Sequence, residues 1–203
     1  VFDGNVDNGN NKSAYLRIAG SYNIIEHVIA RNNDDTGISI SAKDKDRLLW
    51  PAHNLVLNSD SYNNLDLSGI NADGFAAKLG VGPGNIFRGC IAHNNADDGW
   101  DLFNKIEDGP NASVTIENSV AYENGLPYNK ADILKGSIGN GFKLGGEGQP
   151  VNHKVINSIA INNNMDGFTD NFNTGSLIIR NNIAMNNARY NYILRTNPYK
   201  FPS

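Results

Sequence analysis

The sequence predicts an all-β fold, a right-handed single-stranded parallel β-helix (a solenoid). Three observations lead there. A short unit recurs: Ala30-Arg31-Asn32-Asn33 leads to Gly37-Ile38, Ala92-His93-Asn94-Asn95 to Gly99-Trp100, Ala160-Ile161-Asn162-Asn163 to Gly167-Phe168, and Ala184-Met185-Asn186-Asn187 to Asn191-Tyr192, with the alanine 7 positions ahead each time. Aligning the chain on the turn glycine gives Gly37, Gly74, Gly99, Gly141 and Gly167, with Asn191 in the sixth place, at separations of 37, 25, 42, 26 and 24 residues. The short separations define a coil of about 25 residues and the long ones are coils with insertions. No segment carries sustained helical periodicity with caps. The hand is an expectation about the fold class, since the pattern itself fixes none.

Each coil then has the same parts in order. A β-rich run precedes the turn: Asn23–Ala30, Asn54–Ser61, Asn85–Ala92, Val114–Ala121, Lys154–Ala160 and Leu177–Ala184. A shorter run follows the glycine: Ile38–Ser41, Phe75–Leu79, Trp100–Phe103, Phe142–Leu144, Phe168–Asp170 and Tyr192–Leu194. Equivalent positions in successive coils stack about 4.8 Å apart, the strand spacing of a sheet. Ile38, Phe75, Trp100, Phe142, Phe168 and Tyr192 form an inward apolar column. Asn33, Asn64, Asn95, Asn124, Asn163 and Asn187 form a second column, able to satisfy turn amides level by level. Ser41–His53, Asn64–Ile70, Glu107–Ala112 and Gly125–Ser137 are insertions, expected to build a binding groove on one face.

Composition agrees with one domain over residues 1–203, either a mature protein or a domain cut from a longer one. Asparagine, 34 of 203 residues, suits many tight turns. A single cysteine, Cys90, excludes an internal disulfide. The net charge of −4 with scattered Lys and Arg argues against a nucleic-acid surface. No apolar run reaches membrane-spanning length, and no signal peptide is present.

The coil centred on Gly99 departs from the others in its acidity. The column just before the glycine reads Thr36, Asp73, Asp98, Asn140, Asp166, and the column two after it reads Ser39, Ala76, Asp101, Lys143, Thr169. Strand alternation sends Trp100 inward and Asp101 outward. Asp73, Asp97, Asp98 and Asp101 then crowd one outer patch, which repels itself unless a cation sits in it. Oxygen ligands with no His or Cys beside them suit Ca²⁺. Ordinary turn aspartates are the plainer alternative. Lys143 falls one coil past Asp101 on the same face, where a divalent cation disfavours the ammonium form and makes the amine usable as a base. A surface lysine paired with an aspartate is the alternative there.

Four stretches together resemble polysaccharide lyase family 9: Asn71-Ala72-Asp73-Gly74-Phe75-Ala76-Ala77-Lys78, the run from Asn85 through Ala96-Asp97-Asp98-Gly99-Trp100-Asp101, Val114-Thr115-Ile116-Glu117-Asn118-Ser119-Val120-Ala121-Tyr122, and Gly139-Asn140-Gly141-Phe142-Lys143. The resemblance covers roughly Asn54 to Leu194 and is most specific in the acidic segment. It implies a secreted, cell-surface or periplasmic pectate lyase of parallel β-helix fold. It further implies that Asp73, Asp97, Asp98 and Asp101 hold Ca²⁺ and that Lys143 abstracts the proton. The substrate implied is an acidic plant cell-wall polysaccharide, polygalacturonate or rhamnogalacturonan, acted on by a monomer with no nucleic-acid or membrane partner. Lys78, Arg88 and Lys105 are further carboxylate contacts to consider, each weighed against a plain surface cation. The competing expectations are a rhamnogalacturonan lyase using the same site, a glycoside hydrolase with paired aspartates, and a non-catalytic carbohydrate-binding β-helix.

Overall fold

A computed structural model describes residues 1–4, 16–128 and 137–195. The insertion Gly125–Ser137 therefore lies partly outside the described residues. Among those described, twenty short strands form three parallel sheets, and every pairing joins a strand to its counterpart one coil away. The first sheet holds β1 (Phe2–Asp3), β4 (Ile29–Arg31), β7 (Asp60–Tyr62), β10 (Ile91–His93), β13 (Val120–Tyr122), β16 (Ile159–Ile161) and β19 (Ile183–Met185). The second holds β2 (Leu16–Ile18), β5 (Ile38–Ile40), β8 (Phe75–Ala77), β11 (Trp100–Asp101), β14 (Phe142–Lys143), β17 (Phe168–Thr169) and β20 (Tyr192–Ile193). The third holds β3 (Ile24–Glu26), β6 (Leu55–Leu57), β9 (Asn85–Arg88), β12 (Val114–Glu117), β15 (Lys154–Ile156) and β18 (Ile178–Arg180). This is the parallel β-helix the repeat predicts.

Each β-rich run ahead of the turn divides into two strands that belong to two sheets. The break falls on a single residue with positive φ: His27, Asn58, Gly89, Asn118, Asn157 and Asn181 in successive coils. A second such corner follows β4 and its counterparts, at Asn32, Asn63, Asn94, Glu123, Asn162 and Asn186. Asparagine tolerates this left-handed conformation better than other residues with a side chain. The abundance of asparagine thus serves two sharp corners per coil as well as the ladder.

The ladder itself is continuous. Asn64 Oδ1 accepts from the backbone N–H of Asn33 at 3.2 Å and from its Nδ2 at 2.7 Å, and Asn95, Asn124, Asn163 and Asn187 repeat the pattern level by level. A second, shorter ladder joins Asn23, Asn54 and Asn85 at the entry to the third sheet. Two coils further on, His153 Nδ1 takes over, accepting from the Val114 N–H at 3.1 Å. Its burial pushes this imidazole down to about 3, so the ring stays neutral and able to accept.

Inside, the aromatic column stacks as a continuous pile. Ring centroids lie 4.8 Å apart for Phe75–Trp100 and Trp100–Phe142, 4.7 Å for Phe142–Phe168 and 4.9 Å for Phe168–Tyr192. Phe87 meets Phe75 edge-on at 5.7 Å. Each aromatic pair adds about 0.5–1.5 kcal/mol beyond area burial. The pile locks the register of the second sheet, so the residues one position beyond it are fixed relative to one another. Gly99 belongs to this packing: a Cβ there would stand 2.6 Å from the Gly141 carbonyl oxygen.

The Ser41–His53 insertion carries a 3-10 turn, Arg47–Leu49, capped by the Asp46 carboxylate accepting from the Leu48 N–H at 3.0 Å. The Arg47 guanidinium lies 4.3 Å over the Trp50 ring and donates to the carbonyls of Asp108 and Pro110. Two insertions are thereby tied together beside the second sheet.

Candidate active site

The register of the second sheet brings the chemistry together. Trp100 pairs with Phe75 on one side and Phe142 on the other, so Asp101 pairs with Ala76 and with Lys143. Asp73 and Asp98 stand just ahead of β8 and β11 and are linked by backbone: Asp73 Oδ1 accepts from the Asp98 N–H at 3.2 Å. Asp98 Oδ1 in turn accepts from the Asn140 N–H at 2.9 Å and from its Nδ2 at 2.8 Å. The column ahead of the glycine is therefore a hydrogen-bonded rail as well as a row of acids. Thr36 extends it upward, its hydroxyl donating to Asp73 Oδ2 at 3.0 Å.

Asp73, Asp98 and Asp101 each offer a carboxylate oxygen within 4.8 Å of the others. Asp97 stands outside that trio yet is also buried, and its Oδ1 has no hydrogen-bond partner. The expected outer patch of acids is thus a buried one, roofed by two lysines. Lys143 Nζ lies 3.0 Å from Asp98 Oδ2 and 3.4 Å from Asp101 Oδ1. Lys78 Nζ lies 2.7 Å from Asp73 Oδ2 and 2.8 Å from Asp101 Oδ2. The Phe103 N–H closes the array, donating to Asp101 Oδ1 at 2.9 Å.

Four acids against two ammonium groups leave the cluster short of positive charge. Burial, with the neighbouring carboxylates, pushes Asp97 up to about 10 and raises Asp98 and Asp73 as well. Asp101 goes the other way despite its burial, because both ammonium groups and the Phe103 N–H stabilise its charge. Burial also works against the Lys143 ammonium, but Asp101, Asp98, Asp73 and Asp97 outweigh it and hold the group above its ordinary value. An all-oxygen donor set with an unpartnered buried oxygen and surplus negative charge fits a hard divalent cation such as Ca²⁺.

Through Asp101 the cluster reaches a recess of about 500 Å³ lined by Lys78, Phe103, Lys105 and Lys143, and also by Asp34, Asp35 and Asp66. Of the three cations weighed as carboxylate contacts, Lys78 and Lys105 line this recess. Arg88 does not: it ends β9 on the third sheet and pairs with Glu117 at 2.5 Å. The roof formed by Lys78 was not legible in the sequence, since the lysine follows β8 and its reach depends on side-chain direction. Asp35 had a signal: it occupies the same place relative to Gly37 as Asp97 does to Gly99. His93 is a structural residue, stacked between Tyr62 and Tyr122 at 4.7 and 4.6 Å.

Residues 4–199 match the family described as Pel9A-like, right handed beta helix region. The chain belongs to the Pel9A-like right-handed β-helix family. As a Pel9A-like chain it is 55% identical over 185 residues to a pectate disaccharide-lyase of Dickeya chrysanthemi, an alignment covering 91% of this chain and 23% of that protein. The crystal structure of pectate lyase Pel9A superposes with a TM-score of 0.69 at 40% identity, covering 79% of this chain and 38% of that one. A rhamnogalacturonan lyase superposes with a TM-score of 0.57 at 26% identity, covering 81% and 48%. The Pel9A-like chain described here therefore spans less than half the length of each of these relatives.

Proposed function

We propose that this β-helix is the catalytic unit of a calcium-dependent pectate lyase that cleaves α-1,4-linked galacturonan by β-elimination, with Lys143 as the base. The observation that carries the reading is the juxtaposition of Lys143 with the Asp73, Asp98 and Asp101 carboxylates, where Lys143 and Asp101 line an open recess. The similarity to proteins named pectate disaccharide-lyase and pectate lyase supports the substrate class.

In this reading Asp73, Asp98 and Asp101 hold Ca²⁺, with Asp97 adjoining. The ion, when bound, neutralises the substrate carboxylate and stabilises the enolate-like charge that develops beside it. Lys143, as the free amine, takes the proton from C5 of the galacturonate. The C5–H electron pair forms the 4,5 double bond as the C4–O bond breaks, and the leaving oxygen gains a proton. Lys105 at the rim contributes positive charge toward neighbouring carboxylates of the polymer. The protein acts outside the cell, on pectin, as a monomer.

The test is ultraviolet detection of the unsaturated product with polygalacturonate and with rhamnogalacturonan, each with and without Ca²⁺. Product from polygalacturonate alone supports the pectate reading. Product only from rhamnogalacturonan transfers the site to the second reading, which the superposition on a rhamnogalacturonan lyase favours. A reducing end released without ultraviolet absorbance points to hydrolysis and ends both.

A further inference from the structure

Lys78 enters the cluster from the opposite side to Lys143. It follows β8 directly, its N–H donating to the Ile40 carbonyl at 3.2 Å. Its ammonium bridges two carboxylates, touching Oδ2 of Asp73 and Oδ2 of Asp101 at 2.7 and 2.8 Å. Those carboxylates belong to the trio whose oxygens converge within 4.8 Å. A calcium ion ligating them stands about 2.3–2.6 Å from each oxygen. An ammonium group and a divalent cation sharing the same oxygens at such distances collide and repel. Lys143 also touches two members of the trio, Asp98 and Asp101, but at 3.0 and 3.4 Å, whereas Lys78 holds its two oxygens more closely and reaches Asp73.

The surroundings give Lys78 somewhere else to go. On the second sheet, the column that contains Asp101 and Lys143 continues through Ala76 and Ser39. These small side chains keep the floor low in the direction of the earlier coils. There a further recess of about 240 Å³ opens, bounded by Arg17, Ser39, Ser41 and Leu79, and Lys78 lines it as well as the recess over the acids. Lys78 thus stands on the boundary of two openings, one over the acids and one beyond them.

We propose that Lys78 is a tethered competitor for the calcium ion: its ammonium neutralises Asp73 and Asp101, is displaced when the ion binds, and turns into the groove to meet a carboxylate of the polymer. The displacement stands on the geometry of the cluster; the encounter with polymer rests on the lyase reading above. Such an exchange trades one internal charge for two, so it discriminates against monovalent ions, which gain no net charge by replacing the lysine. It also couples metal and substrate, since each favours the same outward position of one side chain.

Calorimetric titration with CaCl₂ compares the wild-type chain with Lys78→Met, which keeps the length of the side chain and removes its charge. Loss of a charge so close to the ion is expected to tighten Ca²⁺ binding at least about tenfold. Unchanged or weaker affinity overturns the proposal. Should Lys78→Met fail to fold, the wild type answers alone through acetylation of Lys78, followed by peptide mass spectrometry. Saturating Ca²⁺ should speed labelling at Lys78 several-fold, and slower or unchanged labelling overturns the proposal. Neither measurement needs substrate. Calcium-stimulated elimination with unaltered affinity in Lys78→Met removes the competitor role and spares the lyase. Tighter binding in Lys78→Met, with no elimination product from the wild-type chain, does the reverse.

Discussion

Asp101 and Lys143 are 42 residues apart in the chain and direct partners across one strand pairing, with the Lys143 ammonium 3.4 Å from Asp101 Oδ1. That pairing places the proposed base one strand spacing from the acids around it. Lys143→Met should therefore lose elimination activity by about 10²–10⁴-fold, the range a positioned general base supplies. The variant should retain its fold by circular dichroism and bind Ca²⁺ at least as well as the wild type. Retained activity would remove Lys143 from the mechanism.

Chelation should abolish product formation, and added Ca²⁺ should restore it. Asp98→Asn should weaken Ca²⁺ binding by at least about tenfold, because it removes one of three converging carboxylates from a buried site. Calorimetry on the variant checks this independently of turnover.

The pH dependence of stability has a definite sign. Asp97 binds its proton up to about 10 in the fold, against about 3.9 in an unfolded chain. The folded state thus holds more protons than the unfolded state between these values, and stability in chelator falls as pH rises through that window. Calcium supplies the missing positive charge and should flatten the decline. Thermal melts in EDTA and in Ca²⁺ at several pH values across the window read this directly. Activity should move the other way. The surrounding carboxylates favour the Lys143 ammonium, so the free amine accumulates only toward alkaline pH, and a maximum in acidic buffer would contradict the base assignment.

Stability tests separate scaffold from site. Asn95 is fully buried and serves three levels at once: its Oδ1 accepts from Asn64, and its Nδ2 donates to the Ser61 carbonyl and to Asn124 Oδ1. Asn95→Ala leaves buried donors and acceptors unpaired and should cost about 3 kcal/mol by denaturant titration. Trp100→Ala opens the aromatic pile and should cost about 3–5 kcal/mol.

Much of this was legible before any coordinates. The glycine alignment gave the correct strand neighbours in the second sheet, including Asp101 with Lys143 and Trp100 with Phe75 and Phe142. It also gave the asparagine ladder in full. It worked because each level repeats the same hydrogen bonds, so a period in sequence is a contact in space. What it missed were features that the pattern of residue types does not mark. The bend at Asn58, Gly89 and Asn118 is a single residue in a left-handed conformation inside an otherwise continuous apolar run. The burial of the acids under Lys78 depends on a long side chain folding back from beyond a strand end. Arg88 was a candidate by its charge, weighed against a plain surface cation, and it lies at the end of β9 on the third sheet, paired with Glu117.

The interval between Gly74 and Gly99 is 25 residues and that between Gly99 and Gly141 is 42, yet both pairs of coils meet in the same parallel register. The extra residues do not shift the rungs on either side of them. Trimming the insertion that carries Glu107 and Asp108 should therefore reshape the surface beside the groove while leaving the distance from amine to acid untouched, which makes that insertion a natural place to alter substrate choice without retuning the chemistry.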